Sequence, residues 1–171
     1  MNPSVKTLGA PLAALLLALA LALPARAAEP PILRIDAGMH TAVIKRIGVD
    51  AENRFLVTGS DDKTVRVWDL GTGRLLRTLR PPLGPGNEGK VFAVALSPDG
   101  ATVACGGWTG YEWDGSHAIY LFDRQSGRLL RPLPGLPNVI FHLAFSRDGR
   151  YLAALGAKNG LRVYETRGWA A

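Results

Sequence analysis

Few side chains in this sequence of 171 residues could carry metal or redox chemistry. The chain holds one cysteine, Cys105, and three histidines, His40, His117 and His142. One cysteine cannot close a disulfide within the chain, and this inventory argues against a multi-cysteine or histidine-rich zinc site. We therefore expect neither a metal nor a cofactor.

The residue types that form hydrolytic triads lie closest together in residues 106–117, which include Asp114, Ser116 and His117. Proximity in sequence says little about triad geometry, because a triad is defined by the arrangement of its members in space. Since no other catalytic constellation is evident, we predict that the chain is not an enzyme.

Composition indicates a globular chain with many turns. Apolar residues make up 47% and charged residues 20%, and there are 20 glycines and 12 prolines. The formal net charge of +6 comes mostly from dispersed arginines and not from a dense basic block. Nucleic-acid binding requires a clustered basic surface, so we do not expect a nucleic-acid partner.

Residues 1–27 have the layout of a secretory signal peptide. Lys6 precedes a Leu/Ala run over residues 12–23, Pro24 ends the run, and small residues stand at Ala25 and Ala27. The run is shorter than the roughly 20 apolar residues of a membrane-spanning helix. We expect cleavage after Ala27, no membrane association afterwards, and a periplasmic or secreted location.

The remaining chain contains an internal repeat. The segments VDAENRFLVTG, LSPDGATVACG and FSRDGRYLAAL begin at Val49, Leu96 and Phe145, so they are 47 and 49 residues apart. Each has a turn followed by alternating apolar residues, which predicts a β-hairpin. The second halves TVRVWD, AIYLFD and LRVYE also alternate and end in an aromatic-acid pair. We predict units of four short strands.

The segment GSDDKTVRVWD, residues 59–69, followed by LGTGRLLRTL, resembles the repeats of Trp-Asp (WD) repeat β-propellers, here those of exported bacterial proteins. The resemblance implies an all-β partial propeller of about three four-stranded blades, preceded by a signal-peptide helix. We place the blades at about 40–80, 87–133 and 136–165, after a lead-in at 28–39 with one strand at Ile32–Ile35. Residues 166–171 form the tail.

The same resemblance implies a buried hydrogen-bonded chain inside the first blade, formed by His40, Thr58, Asp62 and Trp68. We expect this chain to stabilise the blade and not to catalyse a reaction. Cys105, Phe122 and Tyr164 replace its Thr and Trp members in the later units. Those units should rely on apolar packing, with Cys105 as a small buried hydrophobe. His142 should lie at the edge of the core.

An insertion of seven residues in the second unit is not explained by the repeat. Its candidate binding residues are Trp108, Tyr111, Glu112, Trp113, Asp114 and His117. The resemblance places this loop on the same rim as the Pro/Gly-rich segment 80–90. The aromatic side chains either form a partner face, since Trp and Tyr dominate binding hot spots, or pack on their own blade.

The leading functional hypothesis is a non-enzymatic scaffold for protein-protein interaction outside the cytoplasm. The alternatives are a truncated regulatory or targeting part of a propeller-linked caspase-like peptidase, and a glycan-binding module that uses the aromatic loop. Three blades are fewer than the four to eight of known propellers. The sequence therefore indicates a truncated propeller, further repeats, or copies that assemble into a shared ring.

Overall fold

A computed structural model describes residues 37–111, 116–157 and 160–169, which lie in one unit, Asp36–Ala171. The predicted signal peptide with its helix, the strand at Ile32–Ile35 and the loop residues 112–115 lie outside the described residues. The described part folds into twelve strands with no helix. None of its elements is therefore a helix long and apolar enough to cross a membrane.

The strands form three antiparallel sheets in chain order, which confirms the all-β prediction. The first sheet contains β1 (Ile44–Val49), β2 (Phe55–Ser60), β3 (Val65–Asp69) and β4 (Leu75–Leu79), paired in that order. The second sheet contains β5 (Val91–Leu96), β6 (Thr102–Gly107), β7 (Gly110–Tyr111), β8 (Ser116–Asp123) and β9 (Leu129–Leu136). The third sheet contains β10 (Ile140–Phe145), β11 (Tyr151–Gly156) and β12 (Leu161–Glu165).

The first hairpin of each sheet turns at an equivalent residue with a positive φ angle. These residues are Asn53 (φ 55°), Gly100 (φ 72°) and Gly149 (φ 71°). Glycine adopts this left-handed conformation without steric cost, and asparagine tolerates it better than most residues. The repeat therefore keeps its register because each copy supplies a residue that can make the same turn.

The second sheet departs from the simple repeat. Its insertion adds the short strand β7, which pairs with the N-terminal end of a lengthened β8. The longer β8 also pairs with more of β9, since His117 lies opposite Leu136. The second blade therefore extends to Leu136 and not to residue 133 as predicted.

The core lies between the sheets. One buried cluster joins the first and second sheets, and another joins the second and third. Gly59 and Gly106 occupy equivalent places at these two contacts. A Cβ on Gly59 would lie 2.8 Å from Val91 Cγ1, and a Cβ on Gly106 would lie 2.9 Å from Ile140 Cδ1. The glycines thus allow the first strand of the next sheet, β5 or β10, to approach closely.

Candidate functional site

His40, Thr58, Asp62 and Trp68 are linked by hydrogen bonds on one face of the first sheet. His40 Nδ1 lies 2.8 Å from Asp62 Oδ2, and His40 Nε2 lies 2.7 Å from Thr58 Oγ1. Trp68 Nε1–H donates to Thr58 Oγ1 over 3.0 Å. The residues come from the segment before β1, from β2, from the β2–β3 turn and from β3. The meander brings them together because these elements are neighbours in one sheet.

Every donor in this hydrogen-bonded chain of side chains has an acceptor when His40 carries its proton on Nδ1. Nδ1–H then donates to Asp62, Nε2 accepts from the Thr58 hydroxyl, and the Thr58 oxygen accepts from Trp68. Burial alone would raise the pKa of Asp62. Hydrogen bonds from Thr64, His40 and the Thr41 backbone outweigh burial and hold that pKa below its ordinary value of 3.8.

This order of Asp, His and Thr resembles a hydrolytic triad, but the arrangement does not suit attack on a substrate. Thr58 is 5% exposed, and its oxygen already contacts both His40 and Trp68. A nucleophile requires an approach path to the reacting carbon. The geometry therefore favours a structural role over catalysis.

The other two sheets carry apolar residues in the places of Thr58 and Trp68. The register puts Phe122 opposite Val103 and Tyr164 opposite Leu152, as Trp68 lies opposite Leu56. Cys105 replaces Thr58 and is fully buried. Burial raises the pKa of its thiol to about 12, despite a hydrogen bond with the Tyr120 backbone. A thiol with such a pKa is a poor nucleophile.

His142 differs from the prediction of a core-edge histidine, because it is exposed. It stands on β10, on the side of the third sheet that faces away from the second. Its equivalent in the second sheet, Ala93, is fully buried against the third sheet. His142 is exposed because no described residues pack on that side of the third sheet.

One rim of the sheets is formed by segment 80–90 and the connection from β6 to β8. Trp108 joins the two parts, since its C=O accepts from Gly89 N–H over 2.6 Å and its N–H donates to Lys90 C=O over 3.0 Å. The prediction that the two segments lie side by side is confirmed. The half-buried Trp108 ring lies 5.8 Å from the His117 ring, measured between centroids.

Of the other predicted rim residues, Tyr111 contributes its backbone to β7, while Glu112, Trp113 and Asp114 lie outside the described residues. Thr109, which sequence reasoning missed, anchors the rim. Its buried hydroxyl donates to Ala118 C=O over 2.6 Å and accepts from Gly107 N–H over 3.1 Å. Thr109 stands between Trp108 and Gly110, outside any alternating pattern of apolar residues, so the sequence does not mark it as buried.

Asp50 is a second residue that sequence reasoning missed. Its buried carboxylate accepts from the backbone N–H groups of Arg54 and Phe55 over 2.7 and 2.9 Å, and from Arg54 Nε over 2.8 Å. Arg54 also donates to the backbone carbonyl of Asp99 in the β5–β6 turn. The sequence feature that could have revealed this role is an acidic residue immediately before the β1–β2 turn.

No group of three or more His, Cys, Asp and Glu side chains is placed to hold a metal ion in the part of the chain that the structure describes.

Residues 38–69 and 73–119 match the family model described as WD domain, G-beta repeat (WD40). These segments cover the first sheet with its hydrogen-bonded chain and most of the second sheet. These two segments resemble WD40 repeats. The third sheet, which lies outside the matched segments, has its three strands in the same antiparallel order as β1, β2 and β3.

The chain is similar to proteins named "Ribosome biogenesis protein BOP1 homolog" from Drosophila species. It is 45% identical to the Drosophila persimilis protein and 42% identical to the Drosophila willistoni protein, each over 60 residues. Those 60 residues are 35% of this chain and 7% of each relative. The chain therefore spans only a small part of the curated relatives it matches, and it shares with them a stretch about as long as one repeat and part of the next.

The comparisons correct the predicted location. The relatives are named for ribosome biogenesis, and ribosomes are made inside cells, so the expectation of a periplasmic or secreted protein is wrong. These relatives are from flies, and they lend no support to the bacterial part of the resemblance. The signal peptide at residues 1–27 stays a prediction from the sequence.

Proposed function

We propose that this chain is a non-enzymatic WD40 scaffold that binds a protein partner through the rim formed by segment 80–90 and the β6–β8 connection. The observation that carries the proposal is the placement of Trp108. Its backbone is paired with both Gly89 and Lys90, while its ring stays only half-buried beside His117. A large aromatic ring on a firmly held backbone loses little entropy when it is buried by a partner.

The rim is also braced against the first sheet. Lys63 Nζ, in the β2–β3 turn, donates to the carbonyl of Gly84 over 2.7 Å. Segment 80–90 is therefore tied to the sheets on both sides of it, although it is rich in proline and glycine. We propose that Tyr111, Glu112, Trp113 and Asp114 extend the contact surface from this platform.

The test compares two tryptophan variants in partner binding and thermal melting. Trp108→Ala should weaken binding by about thirtyfold, or 2 kcal/mol, if the ring is an interface anchor, with an unchanged melting temperature. Trp113→Ala, in the same loop, should behave in the same way. If the rings only pack on their own sheet, truncation should instead lower stability by roughly 3–5 kcal/mol.

Trp169→Ala is the matched control, because Trp169 is also half-buried but packs near the hairpin turns of the opposite rim. Its truncation should leave partner binding unchanged. Equal loss of binding in Trp108→Ala and Trp169→Ala would contradict a specific rim contact. Loss of binding to a glycan array by the rim variants would favour the alternative of a glycan-binding module.

Similarity to relatives named for ribosome biogenesis suggests the first partners to test. We propose a protein of the ribosome-assembly machinery as the partner class. Wild type and the Trp108→Ala variant should be compared as baits, with ribosome-assembly proteins quantified in each. Recovery of these proteins by both baits alike would contradict binding through the rim.

A further inference from the structure

The internal repeat allows equivalent side chains to be compared between sheets. We call the side of each sheet that faces the preceding sheet its leading face, and the side that faces the following sheet its trailing face. The trailing face of the first sheet packs on the leading face of the second, and the trailing face of the second packs on the leading face of the third.

On the leading face of the first sheet, the apolar residues of β1 are exposed. Three residues of β5 on the leading face of the second sheet are at most 4% exposed, whereas their equivalents in β1 are 44–61% exposed. The equivalent pairs are Val91 and Ile44, Val94 and Ile47, and Leu96 and Val49. Both members of each pair are aliphatic. Their exposure differs because the second sheet has a described sheet packed on its leading face and the first sheet has none.

The trailing face of the third sheet shows the same contrast. Ile119 and Leu121 in β8 are fully buried against the third sheet, while their equivalents Leu161 and Val163 in β12 are 65% and 43% exposed. Exposed apolar patches of this kind mark interaction surfaces. Both terminal faces of the described part are therefore built to contact a sheet.

We propose that two copies of this chain associate head to tail, with the trailing face of the third sheet of one copy packed on the leading face of the first sheet of the other. One chain carries both complementary halves of this contact, and the contacts between its own sheets show that such faces fit each other. The assembly does not rest on the rim contact proposed above.

Two copies of the described part supply enough sheets to close a ring. A head-to-tail contact uses two different surfaces, so it generates either a closed ring or an open filament. Each copy supplies three described sheets, and two copies supply six, which lies within the four to eight sheets of closed propellers. Closure covers the leading face of the first sheet and the trailing face of the third sheet in the described parts of both copies.

Leu155 makes this contact different from those within the chain. It occupies the place of Gly59 and Gly106, where a side chain would meet the first strand of the next sheet. Leu155 is exposed in the third sheet. The sheets of two copies must therefore pack less closely here than sheets within one chain, which favours reversible association.

Sedimentation velocity of the full chain over a range of concentrations tests the proposal. We expect a reversible equilibrium between the 18.3 kDa monomer and a dimer. Ile47→Asp disables the leading face and Leu161→Asp disables the trailing face. Each should raise the dimer dissociation constant at least about 100-fold, because it places an unpaired charge in an apolar contact.

An equimolar mixture of the two variants should recover a dimer, because the intact trailing face of one variant meets the intact leading face of the other. Leu70→Asp is the control, since Leu70 is also an exposed leucine but lies in the β3–β4 turn away from both faces. It should dimerise like wild type. All three variants should keep the wild-type melting temperature measured on monomers, because the substituted residues are exposed.

Four results would overturn the proposal. They are a wild type that stays monomeric at every concentration, a dimer that neither variant weakens, a dimer weakened by only one of the two variants, and a mixture of the variants that does not recover the dimer.

Discussion

Asp62 is the residue on which the hydrogen bonds of the first sheet converge. Its carboxylate accepts from His40 Nδ1, from the backbone N–H of Thr41, and from both the backbone and the hydroxyl of Thr64. Removing the carboxylate would leave the half-buried His40 and the buried Thr64 donors without this acceptor. In other proteins, a buried donor left without an acceptor costs more stability than the loss of an exposed ion pair.

We predict that Asp62→Ala lowers the free energy of unfolding by about 1–3 kcal/mol, measured by urea denaturation. The adjacent Asp61→Ala is the control, because Asp61 forms a surface ion pair with Lys45 at 3.3 Å. Its effect should stay below about 1 kcal/mol. If Asp62→Ala kept its stability but lost partner binding, the hydrogen-bonded chain would be functional and the structural assignment would be wrong.

At the scale of the sheets, glycine on the second strand of one sheet sets how closely the first strand of the next sheet approaches. Gly59→Ala would place a methyl group 2.7 Å from Val94 Cγ1 and 2.8 Å from Val91 Cγ1. Valine is stiff at χ1, so these methyl groups move only if the sheets separate. We predict a loss of about 1–3 kcal/mol in unfolding free energy for Gly59→Ala, and a similar loss for Gly106→Ala.

Gly48→Ala is the matched control for these substitutions. The nearest atoms to a Cβ at Gly48 lie 3.5 Å away, and the equivalent residues Ala95 and Ala144 already carry that methyl group. Its unfolding midpoint in urea should match the wild type or exceed it. Destabilisation by Gly48→Ala equal to that by Gly59→Ala would show that loss of glycine itself matters, and not the approach of the next sheet.

At the scale of the whole molecule, hydrogen-bonded aspartates recur in every sheet. Asp69 and Asp123 accept from Thr72 and Ser126 in the β3–β4 and β8–β9 turns, and Asp148 accepts from Ser146. These hydrogen bonds hold the pKa of each carboxyl below 3.8, as do the bonds to Asp62. The three sheets therefore share one response to acid.

We predict that the unfolding free energy decreases as the pH is lowered into the acid range. A carboxylate whose pKa is lowered in the folded state contributes its full stability above the unfolded value of 3.8, and loses it as the pH falls through the lowered pKa. Urea denaturation at a series of pH values should show this loss below about pH 4. Asp62→Asn should reduce the slope, and an unchanged slope in that variant would contradict the role of Asp62.

Strand order and hairpin turns could be predicted from the sequence because they depend on residues that are close together along the chain. Alternation of apolar residues marks each strand, and Asn53, Gly100 and Gly149 mark the turns by their tolerance of positive φ. The members of the hydrogen-bonded chain followed from the resemblance of residues 59–69 to a known repeat.

Burial, by contrast, was decided only by the tertiary structure. Ile47 and Val94 occupy the same place in the repeat, yet one is exposed and the other buried, because only the second sheet has a sheet before it among the described residues. The same reason exposes His142, and the contact of Trp108 with Gly89 and Lys90 likewise depends on chain segments brought together by folding. Local pattern determines how each sheet forms, while contacts between sheets determine which of its faces remain available to a partner.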